Sequence, residues 1–136
     1  MSRPTRYEPD DPREWLNRAR SNIATAQAIK DADDIYLEDV CFHAQQAAEK
    51  AIKAVLVSRG VDFPRTHDIA KLLTLVGAAG VAVPDGIADA AGLTDYAVLT
   101  RYPAHGEPVT DEDCAEAIAC AERVLGWAAP LIGPAS

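Results

Sequence analysis

No run of apolar residues in this 136-residue sequence reaches the roughly 18 needed to cross a bilayer. The first twenty residues are charged rather than shaped like a signal peptide, so the expected location is the cytoplasm, with no membrane partner. No stretch alternates apolar and polar residues for long enough, with β-branched residues and turn signals, to make a sheet. Internal repeats and low-complexity segments are also missing. The cysteines Cys41, Cys114 and Cys120 have no metal-type CxxC spacing and are odd in number, which points to reduced thiols on helices rather than to disulfides or a metal site. Positive charge is scarce as well. Thirteen Lys and Arg against 21 Asp and Glu give a net charge of −8 and argue against indiscriminate nucleic-acid binding, which depends on cations displacing counterions.

What is present is helical periodicity over a 49% hydrophobic chain of single-domain length. The pattern predicts an all-α, up-and-down bundle of four to five helices spanning residues 10–130. A flexible basic tail (1–9) precedes it and a short tail (131–136) follows. Asp10 or Asp11 with Pro12 opens the first helix, in which Trp15, Ala19, Ile23, Ala26 and Ile29 share a face. The acidic stretch DADD (31–34) is read as a turn and N-cap for a long second helix ending at Arg59-Gly60. Thr66 is the expected cap of a third helix. Pro84 opens a fourth, expected to run unbroken until Pro103 disfavours helical geometry before it. Thr110 and Asp113 form a capping box with Asp in place of Glu, starting a last helix to about residue 129.

The charge distribution says more than its sum. Residues 43–71 hold Lys50, Lys53, Arg59, Arg65 and Lys71 together with His43 and His67, against Glu49, Asp62 and Asp68. Any field that attracts phosphate therefore belongs to the middle of the chain. On the second helix, His43, Gln46, Lys50 and Lys53 fall in a narrow polar arc separate from the apolar one. That arc is either an ordinary solvated face or an anion-facing strip, with Glu49 spaced to neutralise Lys53 in part. Arg65 and His67 lie at a helix start, where free N–H groups favour anions but capping is an equally simple explanation. A third polar cluster, TRYPAHGEP (100–108), places Arg101, Tyr102 and His105 beside a helix stop.

The segment FHAQQAAEKAIKAVLVSRGVDFPRTHDIAKLL, followed by LTDYAVLTRYP and then by VTDEDCAEAIACAERVLGW, resembles the HEPN domain family over roughly residues 13–128. The resemblance implies a helical bundle that commonly dimerises and is often encoded beside a minimal nucleotidyltransferase as a toxin and antitoxin pair. Many members are metal-independent ribonucleases whose arginine and histidine meet across a dimer cleft. It casts Arg101 and His105 as the candidate catalytic pair, with no metal and no cofactor. His43, Lys50, Lys53, Arg65, His67 and Tyr102 are then the candidate contacts to a nucleotide or RNA. This sequence departs from the pattern in two ways. Only three residues separate Arg101 from His105, one short of the usual interval, and Glu107 stands where nucleotidylated toxins carry a tyrosine. One arginine and one histidine cannot by themselves supply a base, an acid and charge stabilisation for RNA cleavage, so catalysis demands a dimer or further proton carriers such as His43, Lys50 or His67. A noncatalytic nucleotide-binding or partner-docking module is the alternative that the sequence leaves open.

Overall fold

A computed structural model of the protein describes residues 2–99 and 108–133, and all regular structure among them is helical. The long helices are α1 (Pro12–Ile29), α2 (Leu37–Ser58) and α6 (Asp111–Ile132), joined by α3 (Ile69–Ala78) and the short α4 (Asp85–Ala88) and α5 (Tyr96–Leu99). The expected helical bundle is what the chain forms. None of its described helices is long and apolar enough to cross a membrane.

Local chemistry explains most of the boundaries. Asp11 caps α1 by accepting the Arg13 N–H at 2.9 Å, with Pro12 in the first turn where a missing N–H costs nothing. Gly60 takes φ +68° after α2, and the Val61 N–H reaches back to the Leu56 carbonyl while the Gly60 N–H reaches Val57, a Schellman ending. The Thr110–Asp113 capping box forms as expected, with reciprocal bonds of 3.1 and 3.0 Å.

Three expectations need correction. The DADD turn exists, with Asp34 at φ +64°, but the N-cap of α2 is Tyr36, whose side chain makes no capping bond. The cap of α3 is Asp68 rather than Thr66. Thr66 accepts the Asp68 N–H in an ST-type turn one step earlier, so the helix starts later than the hydroxyl suggested. The fourth helix is not continuous either: α4 passes into a 3₁₀ turn at Asp89–Leu93 and then, after Thr94 and Asp95, into α5. The run DAAGLTD places glycine and two aspartates in mid-helix, where they favour turns over helix, and the tighter winding still buries Ile87, Ala90 and Leu93.

The core lies around α2, which packs against α1, α6, α3, α5 and the 3₁₀ turn. Its alanines 44, 47, 48, 51 and 54 are buried at 0–1% exposure, so neighbouring helices approach closely from several sides. Cys41 and Cys114 meet between α2 and α6 with sulfurs 3.6 Å apart, and all three cysteines are free and buried. Burial pushes the Cys41 thiol well above the ordinary range, which keeps it protonated and inert. Ile52 is fully buried at the centre of α2. Ile52→Ala is expected to lower unfolding free energy by about 2–5 kcal/mol in urea denaturation, through lost transfer energy and the cavity left behind.

Candidate functional site

The encirclement of α2 divides its polar residues into two groups with different surroundings. The first centres on Glu49, which is 3% exposed among the buried alanines of the helix. Its carboxylate is met from three directions. Gln45 Nε2 donates to Oε1 at 3.0 Å, Lys53 Nζ donates to Oε2 at 2.9 Å, and His67 Nδ1 lies 2.8 Å from Oε1. Gln46 Nε2 in turn donates to Gln45 Oε1 at 2.7 Å, so both ends of the buried Gln45 amide are used. Burial by itself would raise the Glu49 pKa, but hydrogen bonds from Lys53, Gln45 and His67 outweigh it and hold the carboxyl below its ordinary value.

Lys53 is itself 9% exposed, its ammonium 5.9 Å from the Trp15 ring centre and 5.5 Å from that of Phe63. Those rings pack edge to face, 6.0 Å apart. Lys53 is thus held under aromatic cover rather than on a solvated strip. His67 differs, because its side chain remains 59% exposed. A carboxylate only accepts, so Nδ1 carries the hydrogen of that bond and Nε2 is the ring nitrogen left outside it.

The second group centres on Asn22 of α1, a residue that the sequence reading did not single out. Its Oδ1 accepts from Lys50 Nζ at 2.8 Å, which fixes the amide orientation, and its Nδ2 then faces His43 Nδ1 at 3.2 Å. His43 therefore accepts on Nδ1 and keeps its hydrogen on Nε2. Burial draws the His43 pKa below its usual value, with Lys50 adding to the effect and Asp39 opposing it. Burial likewise lowers the pKa of Lys50, where Glu49 opposes the shift while Arg18 and Lys53 reinforce it. Lys50 is consequently a half-buried cation bonded to a neutral amide, with other cations nearby.

Beside Lys50 the N-terminal segment lies along α1. Tyr7 N–H donates to Glu14 Oε1 at 3.0 Å, Asn17 Nδ2 donates to the Thr5 carbonyl at 2.7 Å, and Trp15 Nε1 donates to the Pro9 carbonyl at 3.0 Å. Buried Glu14 also accepts from Arg18 Nε at 2.6 Å, and its pKa is lowered by the Tyr7 N–H and by Arg18. A cavity of about 280 Å³ opens here between Arg6, Tyr7, Trp15, Arg18 and Lys50.

The remaining candidates are placed simply. Arg65 is exposed in the loop before α3. Arg101, Tyr102 and His105 lie outside the described residues. Among the described residues, no group of three His, Cys, Asp or Glu side chains is set to hold a metal. The structure therefore brings His43 and Lys50 together through Asn22, and Lys53 and His67 together through Glu49. Asn22, Arg6 and Arg18 join the site from elements whose contact with α2 only folding reveals.

An all-helical bundle with a polar centre on its middle helix defines the class, and comparison defines the family. The sequence model of the HEPN domain matches residues 12–131, and the chain belongs to the HEPN domain family. It is similar to the crystal structure of TT1696 from Thermus thermophilus, with 36% identity and a TM-score of 0.76 over 88% of this chain and 97% of that one. It is also similar to ST0689, described as an archaeal HEPN homologue, with 32% identity and a TM-score of 0.73 over 90% of this chain and 98% of the other. A search of the curated proteins found no match.

The Glu49 network generates a pH prediction. A carboxyl whose folded pKa lies below its unfolded value contributes stability that is complete above about the ordinary value of 4.5. That contribution is lost as pH falls through the lower, folded value. Glu49→Gln leaves Lys53 buried without its counter-charge, and the expected loss near neutral pH is about 3–5 kcal/mol by chemical denaturation. The difference between wild type and variant should shrink as pH drops below 4.5. A pH-independent difference contradicts the assignment.

Proposed function

We propose that this HEPN protein recognises phosphate groups of RNA or a nucleotide through the Lys50–Asn22–His43 face. In this reading it serves as the cytoplasmic helical component of a HEPN and nucleotidyltransferase pair of the toxin and antitoxin type. The observation that carries the reading is the state of Lys50. It is a half-buried cation with a neutral hydrogen-bond partner, lining one cavity with Arg6 and with an Arg18 that is paired to Glu14, on a chain whose net charge is −8. Local cations of this kind attract an anion even when the whole molecule is acidic, because screening confines the distant negative charge to short range. Lys53 takes no part, being neutralised by Glu49. The test is filter binding with single-stranded RNA at low salt. Lys50→Met should weaken binding about tenfold, as loss of one charge-assisted contact implies, while Lys53→Met leaves affinity unchanged. Equal effects of the two substitutions, or no binding by wild type, would reject the reading.

A second reading, metal-independent RNA cleavage by a homodimer, is favoured by the Glu49–His67 pair. A buried carboxylate orienting an exposed imidazole is the arrangement that general bases use, and it supplies the second proton carrier needed beside His105. The neighbouring α3 start is tied to the segment before α5 by the Ile69 N–H to Thr94 Oγ1 bond of 3.1 Å. Arg101 then stabilises the charged transition state, and His105 protonates the leaving oxygen. RNA incubated with the protein in EDTA should be cut, and Arg101→Ala, His105→Ala and His67→Ala should each reduce cutting by about 100-fold or more, the usual scale for loss of an acid, base or charge stabiliser. Intact RNA, or cutting indifferent to all three, removes the nuclease from consideration.

A further inference from the structure

We infer that the groove between the N-terminal segment and α1 is a binding site for a diphosphate group, either inorganic pyrophosphate or the phosphate end of a nucleotide. This deepens the phosphate-recognition reading above and rests on it. Two adjoining cavities form the groove. One, of about 280 Å³, is bounded by Arg6, Trp15, Arg18 and Lys50. The other, of about 360 Å³, is bounded by Arg3, Thr5, Arg6, Asn17, Arg18 and Ser21. Arg6, Arg18 and Glu14 line both cavities, Arg18 being paired with Glu14 at 2.6 Å, with Lys50 at one end and Arg3 at the other.

The acid in the groove, Glu14, is already engaged by the Tyr7 N–H and Arg18, so it repels an incoming anion less than a free carboxylate would. Cations at both ends and at the shared wall match an anion carrying charge at two linked centres better than a single phosphate, which would occupy one cavity only. Guanidinium groups suit this task because their planar donors meet phosphoryl oxygens two at a time. The Thr5 and Ser21 hydroxyls can add neutral donors. The site is assembled rather than incidental. Trp15 Nε1 holds the Pro9 carbonyl and Asn17 holds the Thr5 carbonyl, which fix the backbone on either side of Arg6. Binding would also set an anion beside Lys50, whose hydrogen-bond partner among the described residues is the neutral Asn22 amide.

The test is isothermal titration of the full chain at low salt with inorganic phosphate, inorganic pyrophosphate and ADP. Pyrophosphate or ADP should bind about tenfold or more tightly than phosphate, and Arg6→Glu should weaken that binding by at least a similar factor. Arg6 is exposed, so this substitution should leave the melting temperature in place and separates lost binding from lost folding. ADP stronger than pyrophosphate assigns the site to a nucleotide, and pyrophosphate equal or stronger assigns it to the free anion; both support the inference. Trp15, which lines the groove, gives an independent reading. In a Trp127→Phe background, its fluorescence should change on addition of the same ligands. No binding by pyrophosphate or ADP at millimolar concentration, or binding unaffected by Arg6→Glu, overturns the inference. If RNA binding sensitive to Lys50→Met persists in that case, phosphate recognition stands and only the diphosphate groove falls.

Discussion

A carboxylate buried in the middle of a densely packed helix has to be met by donors from its surroundings, and Glu49 imposes that requirement on this fold. Gln45 and Lys53 answer it from the next turns of α2 on either side, and His67 answers it from the connection to α3. The aromatic rings of Trp15 and Phe63 then cover Lys53. One charge thereby draws together α1, α2 and the loop at residues 61–68. Removing Lys53 takes from Oε2 its donor, whereas Oε1 is shared by Gln45 and His67, so the three donors act as a unit of unequal parts.

The same constraint sorts the cations of α2. Lys50 and Lys53 are three positions apart, yet the second is committed to a buried pair while the first faces the groove and, among the described residues, bonds an amide. In the proposed reading, stability and recognition thus occupy neighbouring turns of one helix. His67 stands between the two roles, because its Nδ1 serves the buried network and its exposed ring leaves Nε2 to chemistry. This arrangement lets an acidic protein keep a local positive site without spreading positive charge over its surface.

The helices were legible because they rest on short-range signals: Asp11 before Pro12, Gly60 after α2, and the Thr110–Asp113 box. The broken fourth helix was not, since apolar periodicity continues through DAAGLTD while the local preference of Gly and Asp wins. The polar arc of α2 was visible in the sequence, but its meaning depends on how many neighbours the helix has. An arc on a peripheral helix is a solvated face; on a helix packed by α1, α3, α5 and α6 it is split between core and groove. Asn22 carries no local signal at all, and its importance comes from the contact between α1 and α2 across 28 residues of chain in its bond with Lys50. Arg18 stands four residues from Glu14, a local signal, but its place in the groove, like that of Arg6, depends on the N-terminal segment lying along α1.

The central claim is this division of labour along α2, and side-chain ammonium NMR of the lysines tests it most directly. Titration with a phosphate-bearing ligand should move the Lys50 signal and leave that of Lys53 in place, because only Lys50 has charge to offer. Movement of Lys53, or of neither lysine while the ligand demonstrably binds, would contradict the account.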